Sequence, residues 1–304
     1  ALTLPSNLNI DDALTMIRSS TLSYGEKEKL INAQMGNMAL CRGTRGEKLR
    51  SAGAIECLLS TVYELYDKIP CPLDTAGESL EIHTIFKLAI ACWNASRDLA
   101  CGSAGNREAI RISTINGKDG LQLLADYLFI YDGISWCQMS ELHLKLLTSV
   151  IGTMRNVTHS TAENCLALHQ SGVSRMLIWR LKENSRRHDA NMTSLPEATD
   201  PWREAAFRSA STLINMSEKC PECAKVCGFD PQIVNLLIDS WGGNQKVLPL
   251  LHLGLAAVLR SAKQQLPPNA YEKAWDDILT NEETRQAIAR RREELRKAAT
   301  RNTP

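Results

Sequence analysis

The sequence predicts an all-α fold, a superhelix of stacked helical repeats, and three observations carry that expectation. Aromatic residues make up only 5% of the 304 residues. With few β-branched runs and abundant Leu, Ala, Arg, Glu and Lys, the composition favours helix over sheet. A short pattern also recurs, at Gly36-Asn37-Met38-Ala39, Trp93-Asn94-Ala95-Ser96, Arg155-Asn156-Val157-Thr158 and Ile214-Asn215-Met216-Ser217, which is the self-similarity of a repeat architecture. Each copy closes an amphipathic run and is followed by a second helical stretch.

The periodicity justifies the elements in turn. Before Asn156, the residues Leu147, Val150, Ile151, Met154 and Val157 keep the three, four, seven spacing of a buried helical stripe, and Ala206, Phe207, Ala210, Leu213 and Ile214 do the same before Asn215. The second stretches start at a glycine: Gly53 to Leu59, Gly120 to Leu128, Gly172 to Leu181 and, more loosely, Gly228 to Ile238. The landmarks at 37, 94, 156 and 215 stand 57, 62 and 59 residues apart, longer than the roughly 40–47 residues of armadillo or HEAT units. Stretches rich in Pro, Gly, Ser, Asn or Asp at 67–79, 131–138 and 184–201 account for the excess as insertions at the edges. From Asn215 the next equivalent position is Ser261, 46 residues on. Residues 1–268 thus form one domain of about five repeats. Residues 269–304 follow as a charged helix or tail, with Arg290, Arg291 and Arg292 in a row. A single helical hairpin cannot bury its apolar faces alone, so consecutive units stack and their third helices line a concave groove.

Composition excludes several function classes. With 35 Lys and Arg against 34 Asp and Glu, the formal charge is +1, which gives no basis for nucleic acid as a partner. The longest apolar run, Val247 to Leu259, contains Pro249 and His252 and stops at Arg260, short of the roughly 20 apolar residues that span a bilayer; no membrane insertion is expected. The chain starts at Ala1 without a leader and reads as a piece of a longer protein. Ten cysteines, many inside apolar helical patterns, suit a reducing compartment, so the cytoplasm is expected.

Three signals invite chemistry and are discounted. Cys220-Pro-Glu-Cys223 with Cys227 is half a zinc site without a second pair, and Cys165 and His169 belong to another repeat. The sequons at Asn94, Asn156, Asn191 and Asn215 coincide, in three cases, with the repeat landmark itself. Six scattered histidines form no nucleophile or acid-base arrangement, and Gly102-Ser-Ala-Gly105 lacks the strand and Lys of a phosphate loop. No enzyme and no cofactor is expected.

The helix ends, read in order, resemble the armadillo domain of adenomatous polyposis coli proteins, whose later repeats close their groove helices in Arg-Asn, Trp-Asn, Arg-Asn, Trp-Asn and Arg-Asn. Here the series reads Gly36-Asn37, Trp93-Asn94, Arg155-Asn156, Ile214-Asn215 and Arg260-Ser261. Gly152 to Thr158 is the best match, Leu255 to Arg260 is similar to the last repeat, and the resemblance covers roughly 27–265. Departures at Gly36, Ile214 and Ser261 mark a diverged relative. The resemblance implies an armadillo-type α–α superhelix, a right-handed solenoid. It also implies a non-catalytic scaffold that docks extended peptide segments of signalling and cytoskeletal partners, serving Wnt signalling, the β-catenin destruction complex and cell polarity. The Inscuteable group, spindle-orientation adaptors with diverged armadillo repeats, is a second resemblance.

An Asn side chain can bond both the N–H and the C=O of a partner strand, so a ladder of them suits extended peptides. Counting back along each helix places Gln34 beside Asn37, Lys87 beside Asn94, Ser149, Gly152 and Thr153 beside Asn156, and Arg208, Ser211 and Thr212 beside Asn215. The predicted groove therefore comprises Gln34, Asn37, Lys87, Asn94, Gly152, Arg155, Asn156, Arg208, Ser211, Asn215 and Arg260. Its Lys and Arg residues favour acidic peptides over the basic cargo of a nuclear-transport receptor. Trp93 is expected to pack in the core.

Overall fold

The computed structural model describes residues 8–73, 79–185, 202–242 and 251–263. Residues 74–78, most of the predicted 184–201 insertion and all of 269–304 lie outside the described residues. Among the described residues stand fifteen α-helices and one two-stranded hairpin, the all-α fold that the composition predicts.

Five helices form one row: α2 (Tyr24–Met35), α6 (Leu80–Ala100), α9 (Glu141–Val157), α12 (Arg203–Lys219) and α15 (Leu251–Ala262), each packed against the next in chain order. A second row runs through α1 (Ile10–Arg18), α5 (Ala54–Tyr66), α8 (Gly120–Phe129), α11 (Val173–Ser185) and α14 (Pro231–Gly242). Short helices connect the rows: α3 (Met38–Cys41), α4 (Gly43–Ser51), α7 (Ala104–Ile112), α10 (Ala162–Gln170) and α13 (Pro221–Gly228). The period is therefore three helices.

Local chemistry starts these helices where the sequence places them. Ser23 and Glu26 form a capping box at α2, Ser79 caps α6 through the Ile82 N–H, and Ser140 caps α9, each supplying an acceptor for a backbone donor that the helix leaves unpaired. Gly53 and Gly172 stand at φ +82° and +85° immediately before α5 and α11, a left-handed conformation that glycine adopts without steric cost. Between α7 and α8, β1 (Thr114–Ile115) pairs antiparallel with β2 (Lys118–Asp119) across Asn116-Gly117, both at positive φ, as a two-residue type I′ turn requires.

Successive helices of the first row are tied by side chains that reach back to backbone carbonyls. Thr153 Oγ1 donates to Trp93 O at 2.8 Å and Asn156 Nδ2 to Arg97 O at 2.9 Å. One unit on, Thr212 Oγ1 donates to Ile151 O at 3.5 Å and Asn215 Nδ2 to Arg155 O at 2.9 Å. The pairs align Trp93 with Ile151 and Arg97 with Arg155, so the residue equivalent to Asn156 and Asn215 is Asp98. This corrects the repeat register: Trp93-Asn94 stands one helical turn before the true landmark, and Asn94 occupies the position of Gly152 and Ser211. A second marker agrees, since Asn106 Nδ2 donates to Leu99 O and Asn164 Nδ2 to Val157 O, both at 2.8 Å and both seven residues back. Trp93 is wholly buried, edge-on to Tyr127 at 5.3 Å.

The segment 131–138 is not the projecting insertion that its composition suggests. Tyr131, Ile134 and Trp136 are buried, and the buried Arg180 of α11 donates to the carbonyls of Tyr131 and Ile134. Trp136 Nε1 donates to Arg180 O at 3.2 Å, and Ser135 Oγ donates to Glu183. Burial pulls the Arg180 guanidinium down to about 10, a measure of how completely this clamp excludes water. Arg180→Ala leaves the Ile134 carbonyl without its side-chain donor and Tyr131 O with only the Ile134 N–H, and is expected to lower stability by about 2–4 kcal/mol. Urea unfolding checks this as a lower midpoint at unchanged slope.

Candidate functional site

A surface groove of about 460 Å³ crosses three consecutive helices of the first row. Ile90, Asn94 and Arg97 of α6 form one side; Glu141, Leu144, Lys145, Thr148 and Ser149 of α9 the middle; Glu204 and Arg208 of α12 the other side. Ile90 and Leu144 give it an apolar strip, and the rest of the lining is polar.

The cations are held by specific partners. Arg97 Nε pairs with Asp98 at 2.8 Å and its Nη1 donates to Asn94 Oδ1 at 2.9 Å. Arg208 Nε pairs with Glu204 at 2.6 Å and its Nη1 donates to Thr148 O at 3.0 Å. Lys145 pairs with Glu141 at 2.6 Å. Gly152 makes the convergence possible: a Cβ there would stand 2.4 Å from Arg208 Nη1 and 3.3 Å from Arg97 Cδ. The Arg97 and Arg208 side chains thus pass over the bare backbone of α9 from opposite sides.

Arg155 lies one turn beyond Gly152 on the same helix and is half-buried. Among the described residues no carboxylate makes an ion pair with its guanidinium. Burial first, and then the charge of Arg208, pull it below the ordinary arginine value. His159, one turn further, is depressed by burial and then by Arg107 and Arg155.

The structure brings together Asn94, Gly152 and Arg208 of the predicted site, with Arg155 and Asn156 about one turn further along α9 and Lys87 exposed further back on α6. Others it places elsewhere. Gln34 accepts from Arg45 Nη2 at 2.9 Å and donates to Leu8 O at 3.3 Å, which ties it to the packing of the first unit. Asn37 is not on a groove helix: Gly36 ends α2, and the Asn37 side chain caps α3 at the Leu40 N–H. Ser211 is wholly buried, because α12 is covered by α9 on one side and α15 on the other. Arg260 is exposed on α15, outside the groove lining. The amides of Asn156 and Asn215, expected to face a partner, are spent on Arg97 O and Arg155 O, and Asn215 is only 8% exposed. Those bonds also occupy the nitrogens that a glycan would need.

Sequence reasoning missed Arg97, Leu144, Lys145 and Glu204. The Asn106 and Asn164 spacing was the signal for Arg97, hidden by the Trp93-Asn94 mimic of the landmark. His169 Nδ1 meets Ser174 Oγ at 2.7 Å, and packing brings the ring near Cys223 of another repeat, which favours the charged imidazole. Cys165, Cys220, Cys223 and Cys227 are all buried. Among the described residues, no group of three or more His, Cys, Asp or Glu is arranged to hold a metal ion, and no helix is long and apolar enough to cross a membrane.

Comparison with protein-family models and with curated proteins finds no match. Among solved structures, the chain is similar to a crystal structure of an engineered protein, with 12% identity over 84% of this chain and 98% of that one, at a TM-score of 0.37. A likeness that weak carries no argument about this chain.

The inter-helix amides yield a prediction. Asn156→Ala and Asn215→Ala each leave a carbonyl of the preceding helix without its side-chain donor, and each is expected to cost about 1–2 kcal/mol in denaturant unfolding. A cost near zero would return these residues to the solvated face.

Proposed function

We propose that the chain is a non-catalytic protein-interaction module, an armadillo-type superhelix whose groove captures an extended acidic segment of a signalling or cytoskeletal partner. One observation carries the reading: Arg97 and Arg208, from the helices on either side, meet over Gly152 beside an apolar strip, with Arg155 one turn further along α9 and within their electrostatic reach. An extended segment laid across α6, α9 and α12 would set an apolar side chain on Ile90 and Leu144 and its carboxylates against Arg97, Arg155 and Arg208. Carboxylate–guanidinium bonds are charge-assisted and directional, so the groove selects for acidic sequence. Backbone recognition falls to the atoms that packing leaves over: the Asn94 amide donates and Asn156 Oδ1 accepts.

The ordered row of five helices, tied by repeated Thr and Asn bonds to the preceding carbonyls, supports the superhelix. The corrected register replaces Trp93-Asn94 by Arg97-Asp98 in the series. An adenomatous-polyposis-coli-like role in Wnt signalling and polarity then rests on the Gly152 to Thr158 and Leu255 to Arg260 stretches, and the binding mode does not depend on it. The arginines disfavour a receptor for basic cargo.

Arg155→Glu is the clean test, because the Arg155 side chain makes no hydrogen bond among the described residues, whereas Asn156 does. Affinity capture from lysate with the wild type beside this variant should lose a defined partner set, with a weakening of about 2 kcal/mol or more for a purified partner and an unchanged thermal melt. Capture of the same partners by both would sink the groove reading.

A further inference from the structure

The three arginines are supplied with donors beyond what a carboxylate uses. Arg97 spends Nε on Asp98 and Nη1 on Asn94, and Arg208 spends Nε on Glu204 and Nη1 on Thr148 O. The Nη2 group of each, and the whole guanidinium fork of Arg155, hold no hydrogen bond among the described residues. A carboxylate offers two oxygens in one plane, and one guanidinium fork fills them. Guanidiniums arriving from three different helices instead suit a tetrahedral anion, whose three terminal oxygens accept from three directions. Gly152 reinforces this, since its missing side chain is what lets Arg97 and Arg208 approach from both sides.

Resting on the groove reading above, we infer that the anion seated between Arg97, Arg155 and Arg208 is the phosphate of a phosphoserine or phosphothreonine in the bound segment. A peptide is favoured over a lipid headgroup because Arg97 and Arg208 line a groove between helices, with Ile90 and Leu144 in its lining to take a neighbouring side chain. Charge supports the assignment: Asp98 and Glu204 pair with Arg97 and Arg208, and Arg155 makes no ion pair among the described residues. Modification of the partner would then switch binding on.

The test uses the whole chain and three immobilised degenerate peptide libraries of one length, whose fixed central residue is phosphoserine, glutamate or serine. The wild type should retain the phosphoserine library about tenfold or more over the glutamate library. Arg155→Gln should weaken retention of both acidic libraries and bring phosphoserine retention down to its own glutamate level, and Arg155→Lys, which keeps the charge without the fork, should lose most of the phosphoserine preference. Equal retention of phosphoserine and glutamate libraries by the wild type overturns the inference and leaves the acidic-peptide groove standing. Retention of none of the libraries by a folded wild type overturns both. Binding to phosphoinositide vesicles with no peptide retained overturns it in favour of a membrane surface. The wild-type comparison decides even if Arg155→Gln fails to fold.

Discussion

A helical carbonyl that already accepts from its own helix keeps a second lone pair, and the stacking of this protein depends on who uses it. Thr153 and Asn156 reach back to Trp93 and Arg97, and Thr212 and Asn215 reach back to Ile151 and Arg155. Apolar burial drives the helices of the first row together but is nearly indifferent to sliding by a turn, because Leu, Ile and Ala recur at every turn. The polar reach is not indifferent, since a slipped helix would bury an unpaired amide or hydroxyl. These few bonds therefore set the register of α9 on α6 and of α12 on α9.

That register decides what stands opposite what on the groove face. It puts Gly152 of α9 between Arg97 of α6 and Arg208 of α12, and Arg155 one turn further on. Confining several guanidiniums in a half-buried place is unfavourable, and the structure offsets it unevenly: Asp98 and Glu204 hold two, and Arg155 is left to bear the repulsion. The proposed anionic segment would relieve that repulsion, tying binding at the groove to the same helix stacking that builds it. A partner that bridges α6, α9 and α12 would in turn stabilise their stacking by mass action.

Behind the groove, the connection between α8 and α9 shows how a polar-looking segment becomes core. Tyr131 and Ile134 present their carbonyls to Arg180, and Trp136 covers it. A stretch rich in Asp, Gly and Ser carries no periodicity that betrays this, because its three buried side chains answer to one buried cation on another helix rather than to a stripe. The type I′ hairpin at Asn116-Gly117, which a reading for helical repeats passes over, is short enough to leave the all-α class intact.

By itself, the sequence determined the helices, their apolar stripes, the glycines before α5 and α11, and the concentration of cations near the ends of the first-row helices. Those follow from interactions within a turn or two of chain, which periodicity and composition report directly. Only the tertiary structure decided that Asp98 rather than Asn94 matches Asn156, that Asn37 caps a short helix, that Ser211 is covered, and that the amides of Asn156 and Asn215 face inward. The physical reason is the same in each case. Helical spacing assigns a residue to a face, but which turn it occupies against the next helix depends on a carbonyl some 60 residues away, and no local pattern encodes that distance.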